Sequence, residues 1–415
     1  MKIEDYALLG DTHSAALVAR DGSIDWLCLP RFDSPSCFAA ILDPEVGGHW
    51  RIAPAGEDVE IDRRYRDSSM VLETTFRTSE GTVTLVDCLP LEEASDPRDP
   101  SAVYPEHVVV RMVRGDAGTV PMVMEYAPRF DYGRIRPWLR TIEEGGVEAI
   151  GGPDALQLQA DVDLEIDECT VRTDFEVSEG DCVAFAVCYY ESHRAPRTDL
   201  RPEQAGHLVE LTDRFWRDWI ECCRYGGEWQ DAVERSLLVL KALTYSPTGG
   251  LVAAATTSLP ESIGGVRNWD YRFCWLRDAT FTLEVLMDRG FMGEAEGWRD
   301  WLLRAVAGDP DDLQIMYGVK GERRLTEIEL DWLAGYEGSR PVRIGNAAVD
   351  QFQLDVYGEV MDALHSARRA GLKTGEDYWA LQKRIVEFVC ECWQEPDEGI
   401  WEVRDRRRHF VLSKV

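Results

Sequence analysis

The spacing of apolar residues changes once along this 415-residue chain, near Pro202, and that change limits the possible folds more than any other feature. Before it, short β-rich runs alternate with turn signals at strand spacing. Ala15 to Val18 and Ile24 to Leu29 flank Asp21-Gly22, a dipeptide that readily adopts the positive φ of a tight hairpin turn. Met70 to Phe76 and Val83 to Val86 lie either side of a turn around Gly81. His107 to Val113 and Val120 to Tyr126 flank Gly115 to Gly118 and read as another hairpin. Ala155 to Ala160, Cys169 to Val177 and Cys182 to Tyr190 extend the series. So many antiparallel pairs predict an N-terminal β-sandwich over residues 1–202.

After Pro202 the β-branched alternation stops. Glu203 to Cys222 reads as a helix within a linker, residues 203–227, that closes at Gly226-Gly227. From residue 228 the chain is helical. Glu228 to Leu243, Ala279 to Arg289, Gly293 to Val306, Ala347 to Ala370 and Glu376 to Trp393 carry apolar residues at three- and four-residue spacing. A further helix is expected to begin over His409 to Leu412. The fold class is therefore multidomain, β followed by α.

Charge narrows the partners. Asp and Glu number 76 against 45 Lys and Arg, so the formal charge is −31 (45 − 76). Nucleic acid and anionic membrane surfaces attract basic faces and are excluded as partners. The only lysines are Lys2, Lys241, Lys320, Lys373, Lys383 and Lys414, a bias that suits high salt and that a GC-rich genome also produces. The opening M-K-I-E-D-Y-A-L-L-G lacks a basic region followed by a long apolar run, and no later run reaches membrane-spanning length, which predicts a cytoplasmic protein. Eleven cysteines, an odd number, are scattered as Cys28, Cys182, Cys188 and Cys274 are, without a scaffold spacing, so buried thiols are expected rather than a disulfide framework. The seven histidines lie far apart. No metal site and no cofactor is expected.

Three stretches carry candidate chemistry. Arg267 to Asp278, R-N-W-D-Y-R-F-C-W-L-R-D, mixes Asp270, Arg272, Arg277 and Asp278 with Trp269, Tyr271, Phe273 and Trp275. Aromatic faces cover the apolar side of a sugar ring, and guanidinium and carboxylate groups bind its hydroxyls in charge-assisted pairs. The same residues could equally form a buried ion pair packed among aromatics. In Gly399 to Val403, G-I-W-E-V, Glu402 stands beside Trp401, and a carboxyl against an indole is the environment that lets a carboxylic acid donate a proton near neutral pH. A surface glutamate on a loop is the simpler alternative. In Arg340 to Asp355, Asn346 can cap a helix whose first turns carry Asp350, Gln351, Gln353 and Asp355, either as hydroxyl ligands or as a solvated face.

The run N-W-D-Y-R-x-x-W-x-R-D, the later L-Q-I-M-Y-G and G-N-A-A-x-x-Q-x-Q-x-D segments, and G-I-W-E-V-R resemble glycoside hydrolase family 15, the glucoamylases and related trehalases. Tyr6 to Ser36 resembles the β-sandwich domain of the same proteins, so the likeness is collinear over essentially the whole chain. It implies a β-sandwich joined by a linker helix to an (α/α)₆ toroid that cleaves a terminal α-glucosidic bond with inversion. Glu402 matches the family's general acid. Arg277 and Asp278 match the pair that grips the terminal glucose, with Trp275, Trp269 and Trp401 as walls and Asp270 and Arg272 in the same motif. Trehalose and malto-oligosaccharides both remain open as substrates.

Two departures bear on activity. The family's catalytic base belongs to a segment expected well beyond Val415, and five helices after the linker are too few for twelve, so residues 228–415 read as the first part of a truncated toroid. Asp405-Arg406-Arg407-Arg408 also replaces the family's small Gly- and Pro-containing turn. As it stands the chain is therefore expected to be an incomplete or inactive hydrolase. The alternatives are a non-catalytic sugar-binding fragment, pairing with a separate C-terminal half or with itself through uncovered helices, and a glycoside phosphorylase, which needs no second carboxylate.

Overall fold

The computed structural model describes residues 1–91, 107–142, 145–195, 204–372 and 376–414. The boundary at Pro202 and the expected first linker residue, Glu203, lie outside them. The chain divides into two compact units. The first comprises Met1–Glu221, Glu234–Ala242 and Trp332–Gly338; the second comprises Cys222–Val233, Leu243–Asp331 and Ser339–Val415. Among the described residues no helix is long and apolar enough to cross a membrane.

Fifteen strands of the first unit join in one antiparallel sheet system: β1 (Tyr6–Gly10), β2 (Ala15–Ala19), β3 (Ser23–Cys28), β4 (Ser36–Phe38), β5 (His49–Pro54), β6 (Glu60–Tyr65), β7 (Leu72–Arg77), β8 (Gly81–Cys88), β9 (Val108–Ala127), β10 (Trp138–Thr141), β11 (Val147–Gly151), β12 (Asp154–Ala160), β13 (Glu165–Asp167), β14 (Thr170–Ser178) and β15 (Cys182–Glu191). The central path runs β1-β2-β3-β5-β9-β15-β12-β11-β10. Asp21-Gly22 joins β2 to β3, with Gly22 at φ 82° as the hairpin turn requires.

The expected hairpin around Gly115 to Gly118 is not present. β9 continues through these glycines, with Gly118 at φ 68°, for 20 residues in all, pairing with β8 and β15 along its first half and with β14 and β5 along its second. The glycines serve close approach instead of reversal. A Cβ on Gly115 would lie 1.9 Å from the Ser178 carbonyl oxygen, and one on Gly118 would lie 2.2 Å from that of Glu80. The pairing with β8 shifts register here, with Thr82 opposite Ala117 and Val83 opposite Gly115, so Asp116 is the extra residue of a bulge.

Alternation along the strands gives the sheet two apolar faces. Val109 and Val113 of β9, with Phe185 and Val187 of β15, enter the main core beside Trp50, Met124 and Leu156. Val108 and Val110, with Ala184, Ala186 and Cys188, point the other way into a second cluster. Helix α1 (Ala205–Ile220) covers that cluster with Ala205 and Val209. A fully buried aliphatic side chain contributes roughly 1.5–3 kcal/mol, so this helix is a packed part of the first unit as well as a connector. Cys28, Cys188 and Cys274 are buried thiols as expected, whereas Cys182, at the outer end of β15, is an exposed one.

Six α-helices occur among the described residues; the others are α2 (Gln230–Ala242), α3 (Leu276–Arg289), α4 (Met292–Ala305), α5 (Asp355–Arg369) and α6 (Glu376–Cys392). In the second unit α3 packs on α4 and α5, and α5 also packs on α6. α3 buries Leu276, Ala279, Leu283 and Leu286, and ends at Gly290, whose φ of 103° gives the left-handed cap that favours glycine.

Two helix expectations need correction. The helix expected from Ala347 to Ala370 is split into a 3₁₀ turn, Ala347–Asp350, and α5. Asn346 does cap, accepting from the Ala348 amide, but what it caps is the short turn. The break has a clear cause: the Phe352 amide donates to Glu398 Oε2 at 2.9 Å and the Leu354 amide to Asp397 Oδ2 at 3.1 Å, so side chains take bonds that a continuous helix would have made internally. The helix expected from His409 is only a 3₁₀ turn at Leu412–Lys414. Arg408 exchanges both backbone bonds with Asp397, each 2.8 Å, so the chain enters His409 from a β-bridge.

Candidate active site

Glu402 and Arg277 reach the site from segments of the second unit that lie far apart in sequence. Cys274–Trp275 pairs with Met316–Tyr317, which fixes the chain just before α3 and puts Arg277 and Asp278 in that helix's first turn. Glu402 lies beyond α6 in a turn with Gly399 at φ 69° and Glu402 itself at φ 51°. Only the surrounding bonds hold a residue with a Cβ in that left-handed region. The Glu402 amide donates to the Gly399 carbonyl at 3.0 Å, and Gln351 Nε2 donates to the Glu402 carbonyl at 3.3 Å.

The side chains converge. Trp275 Nε1 donates to Glu402 Oε1 at 2.7 Å, and Arg277 Nη1 donates to the Ile400 carbonyl at 3.0 Å. Arg277 Nη2 donates to Asp278 Oδ2 at 3.1 Å and stands 3.8 Å from Glu402 Oε1. Burial pushes the Glu402 carboxyl up and the Asp278 charge adds to this; the indole bond, Arg277 and Arg404 pull it back, and the net result lies above the ordinary glutamate value. A carboxyl in that state can hold its proton further toward neutral pH and still face a ligand.

It does face a cavity, of about 610 Å³, lined by Trp269, Tyr271, Arg277, Trp401, Glu402 and Arg404 among others. Glu261 and Arg267 also line it, 3.5 Å apart. Arg404 and Arg343 stack on Trp269, their guanidinium carbons 3.7 and 4.7 Å from the ring centroid. Burial, then the charge of Glu402, raises the Tyr271 hydroxyl. Among the described residues no group of three or more His, Cys, Asp or Glu side chains could hold a metal ion.

The sequence matches known proteins at both ends. Residues 227–415 match the profile described as glycosyl hydrolases family 15, and residues 1–180 match a trehalase-like N-terminal domain. The chain is 40% identical over 433 residues to a trehalase of Mycobacterium tuberculosis, covering 100% of this chain and 63% of that protein. It is 34% identical to trehalase 1 of Sulfolobus acidocaldarius, covering 98% of this chain and 68% of the relative. The chain belongs to glycoside hydrolase family 15. It spans 63–64% of the two mycobacterial relatives it matches. Among solved structures, one named "Putative kojibiose phosphorylase from human microbiome" aligns with a TM-score of 0.45 at 10% identity, over 76% of this chain and 49% of its own.

In this family 15 chain the candidate residues separate into three groups. Glu402, Arg277, Trp269 and Trp401 line the cavity, Trp401 with 82% of its surface exposed. Asp278 touches Arg277 beside it, while Trp275 is buried behind the cavity and meets Glu402 only through its indole N–H. Asp270 and Arg272 are elsewhere: both are buried, 2.7 Å apart, and Asp270 also accepts from the Gly345 amide. For that pair the buried ion pair, the plainer of the two sequence readings, describes the observed surroundings. Sequence reasoning does not bring Glu261 or Arg404 to the site, and it gives Arg267 and Tyr271, which belong to the motif it singles out, no separate role. Arg404 stands two residues from the acid.

Proposed function

We propose that this family 15 chain carries the proton-donating part of a trehalase-type α-glucosidase that works with inversion. The observation that carries the reading is the Glu402 carboxyl, bonded to an indole N–H, pushed above its ordinary value and open to a cavity large enough for a disaccharide. Arg277 and Asp278 would bind hydroxyls of the terminal glucose, and Trp269 and Trp401 would cover its apolar faces. Six relatives that match along nearly the whole chain are all named trehalases, which favours trehalose over malto-oligosaccharides. On this reading the chain is organised as a β-sandwich domain at 1–202, a linker helix at 203–227 and helices of an (α/α)₆ domain from 228.

In the reaction, the bond from the anomeric carbon to the bridging oxygen breaks as Glu402 gives that oxygen its proton, and the oxygen leaves as the anomeric hydroxyl of the second sugar, α-glucose when the substrate is trehalose. Water adds to the opposite face of the anomeric carbon and yields β-glucose. Its proton goes to a second carboxylate roughly 6.5–9.5 Å from the first, and Glu402 recovers a proton from solvent. No residue of this chain is assigned as that base, and the part of the relatives' length outside the match is where we would seek it.

Calorimetry and a glucose-release assay on the 415-residue chain test the reading, with trehalose and maltotriose, with and without phosphate. Trehalose should bind more tightly than maltotriose. Arg277→Ala should weaken binding and Glu402→Gln should leave it largely intact. Hydrolysis of trehalose should first release β-glucose from the attacked ring and α-glucose from the leaving ring in equal amounts, independent of phosphate and lost in Glu402→Gln. Failure to bind trehalose would overturn the proposal, and a phosphate requirement with a sugar phosphate product would replace hydrolysis by phosphorolysis.

A further inference from the structure

Arg404 stands two residues beyond Glu402, and its guanidinium is held on three sides. Nη1 donates to Glu327 Oε1 at 2.9 Å, and Nη2 lies 2.8 Å from Glu327 Oε2, a two-pronged pair. Nη2 also donates to Asn346 Oδ1 at 3.0 Å, and the ring of Trp269 lies beneath the guanidinium.

The anchors are themselves fixed. Asn346 is 1% exposed, accepts from the Ala348 amide and donates to the Asp270 carbonyl. Glu327 accepts from the Ala347 amide at 3.0 Å and lies 3.4 Å from Arg343 Nε. Burial raises the Glu327 carboxyl, but its bonds to Arg404 and Ala347 and the charges of Arg404 and Arg343 outweigh this, so it sits below the ordinary value and stays charged.

What these anchors hold is the strained turn. A left-handed conformation costs a residue with a Cβ about 1–2 kcal/mol and survives only where neighbours enforce it. Before Glu402, Arg277 grips the Ile400 carbonyl, and at Glu402 itself Gln351 grips the carbonyl. Beyond Glu402 the clamped side chain is Arg404.

We infer that Arg404 is a positioning residue for Glu402: pinned by Glu327, Asn346 and Trp269, it locks the left-handed turn that keeps the Glu402 carboxyl against the Trp275 indole. The inference rests on Glu402 being the proton donor. It separates from a simple charge effect by sign. The groups facing Glu402 are Arg277, Asp278, Tyr271, Trp275 and Arg404, and the Arg404 charge by itself lowers the carboxyl's proton affinity. Removing the charge with the turn intact would raise the titration midpoint further. Removing a clamp would let the carboxyl swing into water, lose its burial and return toward the ordinary range.

The experiment is a carboxyl ¹³C NMR titration of the glutamate-labelled 415-residue chain, with the Glu402 resonance assigned by its loss in Glu402→Gln. In Arg404→Ala the midpoint should fall back toward the ordinary carboxylate range. In Glu327→Gln it should fall as well, a direction that the lost negative charge shares, so the two Arg404 variants carry the test of sign. Arg404→Lys, which cannot reproduce the two-pronged geometry, should fall part of the way. A midpoint that rises or does not move overturns the positioning role. If Arg404→Ala fails to fold by circular dichroism, Arg404→Lys, which keeps the positive charge, decides in the same way. A wild-type midpoint already in the ordinary range would instead count against Glu402 as proton donor, so the two failures are distinguishable.

Discussion

At the scale of single residues, similar side chains within one twelve-residue motif meet different surroundings. Asp270 and Arg272 pair in the interior, whereas Arg277 and Asp278, in the first turn of α3, lie at or beside the cavity. The sequence shows that the motif holds paired charges among aromatics, but burial depends on which segment packs over each pair, and that is a tertiary property. Glu402 allows a test at this scale. Its carboxyl is raised by burial, so its stabilising contribution is present below the ordinary carboxylate value and lost as pH rises through the raised one. Glu402→Gln keeps an acceptor for Trp275 and carries no charge. The variant should therefore melt at a higher temperature than the wild type at pH 8, and the difference should close by about pH 4, where the folded wild type is neutral at this position too. Differential scanning calorimetry across that range checks it. A variant less stable at pH 8 would mean that Arg277, 3.8 Å away, outweighs the burial.

At the scale of elements, strands and helices are legible wherever one period holds over a whole segment. The β2–β3 hairpin and helices α3, α4 and α6 match the spacing of their apolar residues closely. The misreadings share a cause, which is that a local signal is satisfied by a distant partner. Glycines at 115 and 118 read as a turn, yet β9 needs them because neighbouring backbone comes within Cβ distance. The helix expected from Ala347 is broken by Glu398 and Asp397, whose side chains take two of its amides from 46 and 43 positions away. If close approach is why Gly115 is there, Gly115→Ala should cost about 1–3 kcal/mol, the usual range for forcing an extra carbon into packed structure. Urea denaturation measures this, and a loss below about 0.5 kcal/mol, within the scatter of ordinary surface substitutions, would show that β9 and β14 can separate there without strain.

At the scale of the whole molecule, the charge of −31 sets two salt effects against each other. Salt weakens ion pairs, and several here are exposed, such as Arg172 with Asp174 and Arg408 with Asp405. Exposed pairs of this kind contribute only about 0–1 kcal/mol each. Salt also screens the mutual repulsion of acidic groups that outnumber basic ones by 31 (76 − 45), and that repulsion acts over the whole surface. The screening distance falls from about 10 Å at 0.1 M to about 3 Å at 1 M, so most of the long-range repulsion disappears in that interval while contacts near 3 Å are only partly weakened. The buried Arg111–Asp87 pair, fully enclosed, is affected least. Relief of repulsion should therefore win, and the melting temperature should rise between 0.1 and 1 M sodium chloride. Because salting-out also stabilises folded chains, the same series in sodium chloride is to be run on a variant with about ten surface glutamates changed to glutamine: if repulsion is the cause, its rise should be clearly smaller, and an equal rise would assign the effect to the solvent instead of the charge.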